Sequence, residues 1–203
     1  FDSVRPSVIS DVYELVEEDV GGAVLERFDT VDLNIKDMQI RSIVAVQAPL
    51  PKFAKASKGF GYFNVPPDID GPMRRVRLLN RHEDEFHPAL SVVAAAQYLG
   101  GGIYPINGTI KPDVTLDGIG ITTDRIIPTD LHGRMLINYY SAPEEYFPTY
   151  SVADFIDGTV GPEIYKDKIV LFGMTAMGLY DLRPTPFSAT TPGVYIHASA
   201  MQN

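Results

Sequence analysis

"KDKIVLFG", Lys166 to Gly173, is the run on which the fold reading turns. It is a lysine-led apolar stretch closed by a glycine, the pattern of a strand covered on both faces in a parallel sheet. On its N-terminal side, "SVADFIDG" opens with Ser151 and Asp154 in capping-box spacing and predicts a helix. On its C-terminal side, "TPGVYIHASAMQN" predicts another. A second β-branched run, Ile40 to Val46 in "IRSIVAVQAP", has the length of a buried strand and is ended by Pro49. Strand and helix therefore alternate.

The rest of the chain fills in that alternation. "VISDVYELVEEDVGGAVLERF" places Val8, Val12, Leu15 and Val16 at helical spacing, with acids on the other face, until Gly21 and Gly22 interrupt it. "LPKFAKASKGFGYFNV" reads as a short helix or turn leading through Gly59 and Gly61 into a strand. Pro88 stands where a helix can begin, and "ALSVVAAAQYLGGG" sets Leu90, Val93, Ala94 and Tyr98 on one side before three glycines stop it. Residues 103–140 differ. "TLDGIGIT", "RIIPTD" and "RMLINYY" are short strands, with Asp117-Gly118 and His132-Gly133 as the expected hairpin turns. The expected architecture is an α/β domain: a mixed sheet with helices on both faces and an antiparallel hairpin insert.

With 203 residues, of which 45% are hydrophobic, the chain can bury one substantial core, and its length fits one domain better than two. Seventeen basic against 26 acidic residues give a net charge of −9, which opposes a polyanionic partner, so nucleic acid is not expected. No apolar run approaches the length of a membrane span. The absence of cysteine removes disulfides, thiolate nucleophiles and cysteine-based zinc sites, and is neutral about compartment.

Enzyme signatures are missing. There is no G-x-S-x-G elbow, no phosphate-loop pattern and no H-E-x-x-H, so no catalytic residue, metal or cofactor is assigned. The four histidines, His82, His87, His132 and His197, are too dispersed for a helical ligand pair. Asn107-Gly108-Thr109 matches the glycan acceptor pattern, but an Asn-Gly turn accounts for it.

Two stretches concentrate chemistry. In "DIDGPMRRVRLL", Asp68 to Leu79, strand alternation puts Arg74 on one side with Val76 and Leu78, and Met73, Arg75, Arg77 and Leu79 on the other. A guanidinium on an apolar face requires a partner, and Asp68 or Asp70 across the Gly71-Pro72 turn can supply a carboxylate. Either the cluster is a closed ion-pair corner, or Arg74 and Arg75 hold an anionic ligand while the aspartates orient them. A calcium loop is disfavoured because no Glu stands at the closing position. In "KIVLFGMTAMGLYDLRPTPFS", Lys168 to Ser188, Thr175 and Asp181 fall just beyond the expected strand, at the carboxyl edge where open α/β sheets bind ligands. The alternative there is a loop stiffened by Pro184 and Pro186, with Thr175 and Asp181 bonded to its backbone. The aromatic group Tyr139, Tyr140, Tyr146, Phe147 and Tyr150 reads as core and lid packing.

Six segments in one order, "GYFNVPPDIDGPMRRVRLL", "PALSVVAAA", "INYYSAP", "SVADFIDG", "KIVLFGMTAMGLYDLRPTPFS" and "TPGVYIHASA", resemble the CHASE domain of type two, an extracellular sensory module of bacterial membrane receptors. The resemblance is specific from about Pro49 onward. It implies Gly61, Asn64, Asp70, Gly71, Arg74, Gly173, Thr175, Asp181, Pro184, Pro186, Pro192, Gly193, His197 and Ala198 at recurrent positions. The family's Trp-Pro-Trp-like start has no counterpart here, so residues 1–203 are expected to form one sensor domain without its first strand and helix. Arg77 stands where a proline is common.

The implied role is extracytoplasmic signal input to an adenylate or guanylate cyclase, or to a histidine or serine/threonine kinase output, through transmembrane helices outside this chain, with a homodimer as the receptor's working form. The fragment itself is then not an enzyme. Since the family pattern defines no ligand, the candidate ligand residues rest on chemistry: Arg74, Arg75, Asn64, Asp70, Thr175 and Asp181. Two rivals remain at this point. One is a hydrolase or transferase holding a divalent ion on Asp68, Asp70 and Asp181; the other is a purely dimerising structural module.

Overall fold

The computed structural model describes residues 40–203 apart from 45, 47–48, 83–84, 111–112 and 176–180. In chain order its elements are α1 (Pro51–Ala56), β1 (Arg75–Arg77), β2 (Leu79–His82), β3 (Glu85–Pro88), α2 (Leu90–Leu99), β4 (Tyr104–Ile110), β5 (Asp113–Thr122), β6 (Arg125–Pro128), β7 (Arg134–Leu136), α3 (Pro143–Tyr146), α4 (Val152–Ile156), a 3-10 turn (Pro162–Ile164), β8 (Leu182–Arg183), β9 (Thr191–Pro192) and α5 (Gly193–Gln202). The helix expected from Val8 until Gly21 and Gly22 interrupt it lies outside the described residues. The chain sorts into two units. The first holds the described residues through Tyr62 together with Arg77–Arg134, and the second holds Phe63–Val76 and Met135–Asn203.

The first unit is built on the antiparallel meander β4-β5-β6, with β5 central, and on the β2-β3 hairpin. Helix α2 packs on β5. Leu78, Leu79, Ala89, Val92, Ala96, Leu116, Ile119 and Ile121 are buried, and removing their apolar surface from water supplies most of this unit's stability. The helix turns a different face inward from the one expected. Ser91, Val92, Val93 and Ala96 are buried, whereas Tyr98 is exposed, because small and β-branched side chains fit close against a sheet and the large ring does not.

Two turn readings fail in the same way. Asp117-Gly118 and Asn107-Gly108 lie inside β5 and β4, where Gly118 pairs with Ile106 and Pro128 and Gly108 pairs with Thr115. A register shift between Ile106 and Asn107 uses the small residue to bend the ladder instead of reversing the chain. The β5-β6 reversal falls at Thr123-Asp124. A turn forms at His132-Gly133, with Gly133 N–H donating to Asp130 O at 2.9 Å, but it closes no hairpin, because β6 pairs with β5 and β7 with β1.

In the second unit, β8 and β9 form a two-residue ladder, and α5 buries Tyr195, Ile196, Ser199 and Ala200 at helical period. The Ser151 hydroxyl accepts from Ala153 N–H at 3.2 Å, so α4 begins where its cap predicts. Strands β1 and β7 pair with one another.

The mixture of helix and strand fits the α/β class, but the mixed sheet covered on both faces is not found among the described residues, which carry four small sheets. The decisive correction is at residues 166–173. They form no strand, and Ile169, Val170 and Phe172 are exposed. A strand exists only where a neighbour accepts its main-chain bonds. The other run expected to build that sheet spends its main chain elsewhere: Ser42 makes an isolated parallel bridge with Arg81, and Ile43 N–H donates to Arg81 O at 2.7 Å.

Candidate functional site

All six candidate ligand residues belong to the second unit. The corner begins with a tight turn, in which Gly71 N–H donates to Asp68 O at 2.9 Å and Asp68 N–H to Pro72 O at 3.2 Å. Gly71 has φ +106°, a conformation that side-chain-bearing residues avoid. The turn brings both carboxylates back over the arginines that follow.

The ion pairs are specific. Arg74 Nη1 donates to Asp70 Oδ1 at 2.7 Å and lies 3.5 Å from Asp68 Oδ2, while Arg75 Nη1 donates to the same Asp68 oxygen at 2.8 Å. Asp68 is the buried member, with 10% of its side chain exposed, and Asp70 the outer one at 57%. The hydrogen bond from Arg74 holds the Asp70 carboxyl below the usual carboxylate range, and the same bond raises the Arg74 pKa. Both carboxylates are therefore used, one for each arginine, and the corner is charge-balanced. The expected face assignment is corrected: β1 starts only at Arg75, Arg74 is half-exposed, and Leu78 and Leu79 are both buried across a bend. The third arginine, Arg77, belongs to the first unit and donates to His132 O at 2.8 Å.

The second stretch meets the first through main chain. Met73 N–H donates to Pro184 O at 2.8 Å, which seats the loop after β8 beside the corner. That loop is closed by side chains: Ser188 N–H donates to Thr185 Oγ1 at 3.2 Å, and the buried Thr185 and Thr191 hydroxyls bond each other at 3.1 Å. Asp181 lies at the start of α5. Its carbonyl accepts from Gly193 N–H at 2.9 Å, and a Cβ on Gly193 would fall 2.7 Å from its carboxylate. A carboxylate at that end of a helix meets the positive pole of the backbone dipoles. Its other neighbour is Arg183 Nε at 3.7 Å.

His197 lies one helical turn beyond Gly193. Burial pushes its pKa down against the raising influence of the Phe63 backbone and of Asp181. Thr175 is exposed and Asn64 lies on an exposed loop. Gly173 abuts α5, since a Cβ there would strike the Val194 side chain. Gly173 is thus close to the first turn of α5, and the parallel strand expected to end there does not form.

Sequence reasoning passed over the groups that fasten this region. Tyr139 donates from its hydroxyl to Met73 O at 2.9 Å, and burial raises its phenol pKa. The Thr185-to-Ser188 turn was detectable as a hydroxyl followed three residues later by serine around Pro186. The aromatic group is not core: Tyr140, Tyr146 and Tyr150 are exposed, although Tyr140 stacks on Tyr146 with centroids 5.3 Å apart and Tyr146 meets Phe147 edge-on.

Divalent-metal chemistry on Asp68, Asp70 and Asp181 is overturned. Among the described residues no group of three or more histidine or acidic side chains could hold a metal ion. Asp68 and Asp70 are committed to arginines instead. Also among the described residues, no helix is long and apolar enough to cross a membrane.

A family model described as the CHASE2 domain matches residues 7–203. No curated protein and no solved structure matches the chain.

Proposed function

Because the chain belongs to the CHASE2 family of sensory domains, we propose that it is the extracytoplasmic input domain of a bacterial transmembrane receptor. Its output in that reading is an adenylate or guanylate cyclase, or a histidine or serine/threonine kinase, and the receptor works as a homodimer. The domain binds and does not catalyse. Its ligand is a small anionic or polar molecule contacting Arg74, Arg75, Asn64, Asp70, Thr175 and Asp181.

The observation that carries this reading is the unequal pairing in the corner. Arg75 is held by the well-covered Asp68, whereas Arg74 is held chiefly by the exposed Asp70. An exposed ion pair contributes little to stability, so an incoming carboxylate or phosphate can take the place of Asp70 on Arg74 at small cost. The exchange would leave the Arg75–Asp68 pair intact. Binding would then bias the position of α5 through differential affinity for two conformations.

A purely dimerising module is the second reading. It is favoured by the exposed Ile169, Val170, Phe172 and Met174, apolar side chains that a partner surface would cover. One experiment separates the two readings: a thermal-shift series with inorganic phosphate and small dicarboxylates, run on the wild type and on Arg74→Ala. The sensor reading expects stabilisation of the wild type that is largely lost in the variant. Equal stabilisation of both removes Arg74 from the site. No stabilisation of either, with a concentration-dependent dimer in sedimentation, puts the second reading in its place.

A further inference from the structure

Strand β7 and its continuation to Asn138 are held along both edges. In extended chain the main-chain groups of successive residues point to opposite edges. Ile137 N–H donates to Arg74 O at 2.8 Å, so that edge faces the arginine corner. Leu136 and Asn138 consequently present their main chain to the other edge, and both are engaged there by one side chain. Asn138 N–H donates to Asn203 Oδ1 at 2.8 Å, and Asn203 Nδ2 donates to Leu136 O at 3.2 Å.

Bonding the carbonyl of one residue and the N–H of the residue two further on is what a parallel strand does at a bridge. A carboxamide can substitute for that strand because it carries the same donor and acceptor as a peptide group. Asn203 stands one residue past Gln202 of α5, so its side chain ties α5 to the strand edge as a surrogate strand. The buried Met135 and Ile137 pin the strand from within the unit, and Tyr139 adds its bond to Met73 O, the residue before Arg74.

We propose that residues 135–139 are a coupling strap, through which a change at Arg74 reaches the α5 turn before Asn203 by way of the Asn203 carboxamide. Its physiological meaning rests on the sensor reading, because a signal entering at the corner needs a route to the helix. Its mechanics do not. The backbone of residues 73–74 is bonded to Ile137 and Tyr139, and the intervening and flanking residues hold Asn203. Displacing the first pair therefore strains the second, and the carboxamide is the last link.

Hydrogen exchange in the full chain tests this without any ligand. Asp70→Asn weakens the hold on Arg74 and is expected to speed exchange at Ile137, at Asn138 and in the last turn of α5 by several-fold. In an Asn203→Ala background, Asp70→Asn should still speed exchange at Ile137 but leave the last turn of α5 unchanged. Asn203→Asp, which keeps the acceptor for Asn138 but loses the donor to Leu136, is expected to pass on only part of the response. The strap is overturned if Asp70→Asn leaves α5 unaffected. It is overturned equally if the response of α5 is the same with and without the Asn203 carboxamide. Failure of the anion series would refute the sensor site and leave this result standing.

Discussion

The first unit is stabilised by paired strands over a buried apolar layer, whereas the second relies on capped turns, ion pairs and hydroxyl bonds around one buried helix face. In the first, β5 has a neighbour on each side and α2 packs against it. In the second, the only ladder formed wholly within the unit among the described residues is the two-residue β8-β9 pair, and long stretches run as loops. All six candidate ligand residues lie in the second. Responsive groups fall where local structure opens at low free-energy cost, and a densely packed sheet is poorly suited to that role.

The largest effect should come from the sheet-bearing unit. Ile119→Ala empties a fully buried position in the central strand and is expected to cost about 2–5 kcal/mol in urea unfolding. A loss below about 1 kcal/mol would mean that this unit is no better packed than its neighbour. Gly71→Ala is expected to cost about 1–3 kcal/mol, from backbone conformation alone, since no atom lies within 4 Å of the added Cβ. It should also weaken the phosphate response that the sensor reading expects in the thermal-shift series, which Ile119→Ala at a permissive temperature should not.

The smallest effect is a pH dependence. Asp70 has a folded-state pKa below its unfolded value, so its contribution is present above the unfolded pKa and is lost as pH falls through the folded one. Asp70→Asn should therefore leave Tm nearly unchanged in acid and lower it slightly at neutral pH, a difference that salt diminishes. A Tm gap that widens on acidification would contradict the assigned pairing.

Much of the corner was legible in advance. A Gly-Pro turn between two aspartates and two arginines restricts who can meet whom, and the structure pairs them within seven residues of one another. The helices α2, α4 and α5 were legible for the same reason, since a repeating apolar pattern or a capping serine acts within one or two turns. What escaped was non-local. "KDKIVLFG" has the composition of a buried strand, yet burial depends on a neighbour that composition does not specify. The glycines of Asp117-Gly118 and Asn107-Gly108 suit a reversal or a mid-strand bend equally well, and pairing on both sides of β5 selected the bend.

Sequence by itself determined the elements closed by short-range forces: the Gly71 turn, the small set of aspartates from which the arginines draw partners, the capped and periodic helices, and the family to which their order points. Tertiary structure alone decided which main-chain edges met, including the one that Asn203 occupies in place of a strand. The physical reason is that peptide groups are nearly identical in every residue. A strand edge therefore accepts whatever donor and acceptor the rest of the fold delivers to it, and residue type says little about which one arrives.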